Sequence, residues 1–337
     1  MIRELEILKD AALRQLLERR LQQAAIENPH LETNPVRTVE QWCAYVERFA
    51  HRMPWQTMDI GEDASFFRRI DQNIGYFYFL LGDLQYEPRV AQWLKDYNTA
   101  WGEWLSSPES WNDAYYQLAL SDPLFELNTD RYESPDNWHS WNDFFARKLR
   151  QSPITNHQSS IVAPCDGEIT SASVKTASIA NWLDLLGDSP YRDVFASGET
   201  FHIVLDVFDY HRFHMPCDGM VLDCRTIQGI HAGGGEIIWD EEQGRYRYEQ
   251  CGVTDFQMLE TRGVLIIDTP AYGKIAIVPV GVQQVSSVQW TFTNDQLTQG
   301  TELGKFLFGG SDVVLFFEPG RAPYISPKNV KVGEKIA

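Results

Sequence analysis

Cysteine is scarce in this chain of 337 residues, and the five present (Cys43, Cys165, Cys217, Cys224, Cys251) form no C-x-x-C pair or other zinc spacing. An odd number without a framework argues against a disulfide scaffold and for reduced thiols, as expected of a cytoplasmic protein; no metal site is expected. Long apolar runs are missing as well, so no segment is expected to cross a membrane. The stretch Met1–Glu6 lacks the apolar core of a signal peptide. Positive charge is in deficit: 29 Lys and Arg face 47 Asp and Glu, for a formal net charge of −18. Phosphate-rich partners are repelled by such a balance, which argues against nucleic acid and against an acidic bilayer surface. No G-x-S-x-G elbow marks a serine hydrolase. The glycines of His231-Ala232-Gly233-Gly234-Gly235-Glu236 lack the strand–helix context and the Lys-Ser/Thr of a phosphate cradle, so they read as a loop. No internal repeat or low-complexity tract is present.

What is present divides by texture. Residues 1–130 carry helical spacing. Leu5, Leu8, Ala12, Leu13, Leu16, Leu17 and Leu21 fall on one face of a first helix whose other faces are charged; the pattern suits a helix lying on a membrane, but its mixed charges favour a bundle helix. Val90, Trp93, Leu94, Tyr97, Trp101 and Leu105 mark a second, with Pro88 near its start and Pro108 beyond its end. Residues 131–160 read as a connector in which Ser140 caps a helix over Trp141–Leu149. From residue 161 to 337 the period changes to strands separated by Gly, Pro and Asp turns, at 161–164, 201–207, 219–228, 263–268, 274–280, 285–292 and 313–317. The expectation is an α+β protein, a helical N-terminal domain followed by a mainly antiparallel catalytic domain.

Chemistry concentrates in that second half. Phe308-Gly309-Gly310-Ser311-Asp312 interrupts two apolar strand runs. Paired glycines there mark a bend or a close backbone approach, and they leave the Ser311 hydroxyl beside an unshielded peptide carbonyl. Upstream, Asp209-Tyr210-His211-Arg212-Phe213-His214-Met215-Pro216-Cys217-Asp218-Gly219 sets two histidines beside charged residues after an apolar run. Ala163-Pro164-Cys165-Asp166-Gly167 sets an aspartate on a turn. Serine, histidine and aspartate are the residue types of an activated hydroxyl, though the same types also serve as a surface His pair, core hydrogen bonds and a tight hairpin.

The 209–219 block resembles the DYHRxHxPxxG signature of the phosphatidylserine decarboxylase family. Trp141–Leu149 is similar to that family's F-N-x-F-F-x-R-x-L segment, Ala163–Gly167 to its P-x-D-G turn, and Gly304–Ser311 to its G-x-F-x-x-G-S processing site. The resemblance implies a precursor that cuts itself between Gly310 and Ser311 and converts Ser311 into a pyruvoyl group, its covalent cofactor. It implies that His214 takes the serine proton with Asp166 orienting it, and that His211 serves decarboxylation, protonating the carbanion. A pyruvoyl ketone forms a Schiff base with a substrate amine and accepts the electrons left when carbon dioxide departs. The resemblance further implies cleaved fragments that stay associated, assembly beyond a monomer, and substrate contacts from Ser286, Ser287 and Phe213.

Three departures bear on substrate and rate. Gly309 stands where membrane members have leucine, and Ser286 where many have glycine; both are similar to the soluble branch acting on free L-amino acids. Leu94–Ser110, with Trp101-Gly102-Glu103-Trp104-Leu105-Ser106-Ser107-Pro108 inside it, is similar to the helical domain of that branch. These features lead to the expectation of a free amino acid, an aromatic one such as tryptophan, as the small-molecule substrate, with phosphatidylserine as the alternative. Asp312 replaces the usual threonine and either assists proton transfer or opposes the developing oxyanion. It is also the one feature that favours an uncut binding protein.

Overall fold

The computed structural model describes residues 8–50, 70–121, 127–153, 160–171, 182–233, 236–249, 258–282, 286–308 and 310–337. Leu5, Gly234, Gly235, Cys251, the start of the expected 285–292 strand and Gly309 lie outside the described residues. Helices are α1 (Ala11–Glu27), α2 (Val39–Phe49), α3 (Ile70–Leu81), α4 (Pro88–Leu105), α5 (Asp113–Ser121) and α6 (Trp141–Phe145). The strands, in chain order, are β1 (Gly167–Ser171), β2 (Glu199–Leu205), β3 (Arg212–His214), β4 (Gly219–Ile227), β5 (Glu236–Asp240), β6 (Arg245–Glu249) and β7 (Thr261–Thr269). They continue with β8 (Gly273–Val282), β9 (Gln289–Trp290), β10 (Gln296–Leu297), β11 (Glu302–Lys305), β12 (Gly310–Phe317) and β13 (Lys328–Val330). The protein is α+β, with helices toward the N-terminus and an antiparallel sheet after them.

Two compact units divide the chain: Met1–Ser110 with Ile230–Phe256, and Trp111–Gly229 with Gln257–Ala337. In the first, α1 begins where the Asp10 carboxylate accepts from the Ala12 and Leu13 amides, and it buries Leu13, Leu17, Leu21 and Ala24. Ala12, expected on the inner face, is exposed. Helix α4 starts with Pro88 in its first turn and buries Val90, Trp93, Leu94, Tyr97, Trp101 and Leu105, as the spacing predicts. The β5–β6 hairpin belongs to this unit because Tyr248 is locked into it. Gln72 makes two bonds to the Tyr248 backbone (2.7 and 2.8 Å), and the Tyr248 hydroxyl donates to Thr33 O at 2.8 Å. A Cβ on Gly75 would stand 2.6 Å from that of Tyr248.

In the second unit an eight-stranded antiparallel sheet runs β10-β4-β7-β8-β12-β2-β1-β13, beside a three-stranded sheet β3-β11-β9. Strand β12 is central, hydrogen-bonded to β8 on one side and β2 on the other. Its residues Val313–Phe317 are all buried, which explains why they read as one continuous apolar run. Alternation puts Val313, Leu315 and Phe317 into the main core with Phe201, Ile203, Leu205, Ile275 and Ile277. Asp312, Val314 and Phe316 point to the other face, where Phe195 contacts Phe316 and Trp182 contacts His202.

Three expected elements differ; of the strand expected at 285–292, the described residues form only the short β9 (Gln289–Trp290), with 286–288 and 291–292 irregular. Helix α6 stops at Phe145 rather than Leu149, because Lys148 and Leu149 pair as extended chain with Glu133 and Tyr132: Glu133 N donates to Lys148 O at 2.9 Å, and Tyr132 bridges Leu149. Its cap is as expected, with Ser140 Oγ accepting from Asp143 N. Residues 161–164 form no strand apart from an isolated bridge between Val162 and Lys335. The strand starts after the turn, at Gly167, whose φ of +139° and close approach to Val204 O (2.4 Å from a would-be Cβ) require glycine.

Candidate active site

Backbone bonds bring the four signature segments together. His214 N donates to Pro164 O (2.7 Å), joining the histidine segment to the Asp166 turn. Arg147, buried at the end of the α6 segment, donates to Phe208 O (3.1 Å) and Asp209 O (3.2 Å). The three residues before the glycines are each held by a separate acceptor. Phe306 N donates to His211 O (3.0 Å), Leu307 N to Ser287 Oγ (3.2 Å) and Phe308 N to Asn142 Oδ1 (3.1 Å). Strand β12 then opens with Gly310 opposite Val282, and Ser311 opposite both Gly281 and Leu205.

Ser311 is buried and its hydroxyl has no hydrogen-bond partner. An unpaired buried hydroxyl costs about 1–3 kcal/mol, a penalty that structural serines avoid and reactive ones carry. Directly across the strand pair, Gly281 has no side chain, and the space its Cβ would fill is occupied by the Ser287 backbone, 2.5 Å away. The Ser286–Ser287 segment therefore lies over the sheet on the face to which Ser311 points. Ser286 takes a φ of +40°, where glycine is favoured; its hydroxyl has one proton to donate between Glu260 Oε2 and Gly281 O, each 3.0 Å away, and accepts from Thr261 N. Of the expected substrate contacts, Ser286 and Ser287 border Ser311 in this way. Phe213 is fully buried in the core, edge-on to Trp290 and against Phe306.

The two histidines differ in what holds them. His211 Nδ1 faces Asp209 O at 3.0 Å, so that nitrogen carries the proton, and the partnerless Nε2 keeps its lone pair. The ring stacks on Phe145 with centroids 3.9 Å apart. Burial, reinforced by the Arg147 charge, pushes its pKa down to about 3. His211 is thus a neutral imidazole in the precursor, with a lone pair on Nε2. His214 Nδ1 donates to Gly300 O (2.9 Å) and its Nε2 accepts from the Tyr210 hydroxyl (2.9 Å). Burial lowers its pKa too, the Gly300 bond partly opposing. Neither histidine is hydrogen-bonded to Ser311.

Asp166 does not contact His214. Its buried carboxylate receives a two-pronged bond from Arg131 (2.6 and 2.7 Å), the Val332 amide (2.8 Å) and the Lys331 ammonium at 3.4 Å. Burial alone would raise its pKa; these partners outweigh that and hold it below the usual carboxylate range. The Asp166 charge acts on both histidines through space, opposing the lowering of their pKa, and its partner Arg131 lies over the rings of Tyr132 and Tyr210. Sequence reading missed Arg131 because it stands outside every motif. Asn142 and Arg147 were inside the quoted α6 segment, but nothing local assigns them partners more than sixty residues away.

Two stability predictions follow from these charges. Arg131→Ala strands a buried carboxylate with only Lys331 nearby, so unfolding free energy is expected to drop by about 3 kcal/mol, and less in Arg131→Lys. Urea unfolding measures it, and a change below about 1 kcal/mol would show that Lys331 suffices. The histidines act in the acid direction. In the unfolded chain they take up protons below about pH 6.5, whereas His211 resists to about pH 3. The unfolded state then binds more protons throughout that window, so stability falls as pH falls. His211 alone contributes a slope of roughly 1.4 kcal/mol per pH unit below pH 6. Urea midpoints of the Ser311→Ala protein at pH 7.5, 6 and 5 test this, and His211→Asn should flatten the slope.

Comparison with known proteins identifies the family. The family model described as phosphatidylserine decarboxylase matches residues 141–337, more than half of the chain. The chain belongs to the phosphatidylserine decarboxylase family, whose members are carboxy-lyases that form a covalent pyruvoyl group from a serine by self-cleavage. A phosphatidylserine decarboxylase proenzyme of Chlamydia pneumoniae is 30% identical over 211 residues, 58% of this chain and 65% of that protein. Proenzyme 2 of rice (Oryza sativa subsp. japonica) is 29% identical over 243 residues, 68% of this chain and 37% of the relative. A proenzyme of Chlamydia muridarum is 32% identical over 193 residues, 54% of this chain and 60% of its own length. The chain thus spans less than two thirds of these relatives. They give no support to the expected tryptophan-type branch or to a free amino acid as substrate.

Proposed function

We propose that this protein is a self-processing decarboxylase of phosphatidylserine, active through a pyruvoyl group made from Ser311. The observation that carries the reading is the buried, unpartnered Ser311 hydroxyl at the start of a central strand, within the matched family region. The names of the relatives favour the phospholipid over the free amino acid.

Self-cleavage moves the Gly310 acyl carbon from the Ser311 nitrogen to the Ser311 oxygen. Loss of the Ser311 Cα proton then expels Gly310 as a carboxylate, and water replaces the nitrogen, which leaves as ammonia. The residues present fit this use of Ser311. The clamps on Phe306, Leu307 and Phe308 hold the segment before the cut, while β8 and β2 hold the strand after it. Five large apolar residues of β12 are buried between strands that precede the cut, worth on the order of 10 kcal/mol, so the fragments stay associated. The pyruvoyl ketone supplies an electron sink for the pair released with carbon dioxide. We assign the Tyr210-tethered His214, in the field of Asp166, to self-cleavage, and the vacant Nε2 of His211 to proton traffic at the reacting carbon. Since no imidazole holds the serine hydroxyl in the precursor and both ring nitrogens of His214 are engaged, cleavage requires Tyr210 to release Nε2 and the serine hydroxyl to swing onto it.

The test pairs denatured mass with substrate. Two fragments split between Gly310 and Ser311 are expected, the smaller lighter by one ammonia than the serine-led peptide. Carbon dioxide release is expected from vesicles containing phosphatidylserine and not from free tryptophan. Turnover of tryptophan alone would overturn the substrate, and a chain that stays uncut would overturn the mechanism.

A further inference from the structure

Asp312 lies on the face of β12 away from the Ser311 hydroxyl, so its carboxylate does not oppose the oxyanion of self-cleavage. It is buried, and its Oδ2 lies 3.1 Å from His202 Nε2, off the line of a hydrogen bond. His202 sits on β2, two residues from the cross-strand partner of Asp312 and directly opposite Val314, so the contact is a diagonal tie between neighbouring strands. His202 is buried as well, against Trp182, with Thr170 Oγ1 at 3.5 Å from Nδ1. A carboxylate in such a position is costly unless paired, and an apolar residue there would serve the sheet equally well. A role in the reaction would account for it.

Self-cleavage supplies the reason. Before the cut β12 is continuous with Phe308 and its clamps. Afterwards it begins at residue 311, which has lost its amide nitrogen and therefore its strand-forming N–H. Asp312 becomes the first residue of the new chain with a backbone donor and the first with a side chain that ties to a neighbouring strand. A two-strand tie at this point keeps the reactive ketone in register when the covalent restraint on its other side has gone.

We propose that Asp312 and His202 are a positioning pair for the pyruvoyl end of β12, needed after cleavage rather than for it. The inference rests on the self-processing reading above. The experiment compares wild type, Asp312→Asn, His202→Gln and the double variant, each also in the uncleavable Ser311→Ala background. Denatured mass is recorded first, and all cleavable forms are expected to be cut. In the cut proteins, hydrogen exchange of the 312–315 amides should speed up by about tenfold in either variant. In the Ser311→Ala background it should change by less than about twofold. Turnover should fall about tenfold through kcat, with KM little changed, and the double variant should be no worse than the singles. Equal loss of protection in the uncut background would reduce the pair to an ordinary fold contact and overturn the proposal. Cut variants that exchange and turn over as wild type would overturn it too. An uncut wild-type chain would overturn the processing reading itself, and this inference with it.

Discussion

Ser311→Ala is expected to yield a single uncut chain with no decarboxylase activity, the largest effect of any substitution in this protein. On the proposed mechanism the change removes the hydroxyl that attacks Gly310 and the source of the ketone, so no residual pathway remains. Folding should survive, because Ser311 makes no side-chain hydrogen bond that alanine would break. Removing an unsatisfied buried hydroxyl should even stabilise the precursor, by about 1 kcal/mol. Denatured mass and a carbon dioxide assay on phosphatidylserine vesicles provide the measurement. Turnover by this variant would sink the pyruvoyl mechanism, whereas a destabilised one would mean that the hydroxyl is paired in solution.

His211→Asn should separate cleavage from turnover. Its ring is neutral, its Nδ1 proton is committed to Asp209 O, and Arg147 fixes that carbonyl from the other side. The vacant Nε2 can take a proton and return it, a contribution typically worth 10²- to 10⁴-fold in rate. The expected result is a cut protein whose kcat falls by about that factor. A chain that remains uncut would move His211 into self-cleavage, consistent with its being the histidine whose Nε2 is free. His214→Ala is the complementary variant, and cutting at the wild-type rate would remove His214 from the processing step.

Much of the fold was legible because burial writes itself into spacing. Helix α4 was readable from Pro88 and six apolar positions, and β12 from an unbroken apolar run, since both elements bury what their period exposes. The end of α6 was not readable. Lys148 and Leu149 suit a helix locally, and only pairing with Glu133 and Tyr132 draws them out of it. Nor was the hairpin at 236–249 readable as part of the helical unit, because Tyr248 finds Gln72 and Thr33 across about 180 to 215 residues of chain.

The candidate site divides in the same way. The sequence by itself determined which residue types are available and in what order: the Gly-Ser bond, two histidines, the Asp166 turn and the family they point to. These are local patterns, constrained by covalent neighbours. Tertiary structure alone decided what each group touches. It gave Asp166 to Arg131 instead of His214, tied His214 to Tyr210, and left His211 Nε2 and Ser311 Oγ unpartnered. It also turned Asp312 away from the scissile side and onto His202. Protonation and reactivity follow from desolvation and from charges a few ångströms off, and those are supplied by strands and loops far apart in the chain.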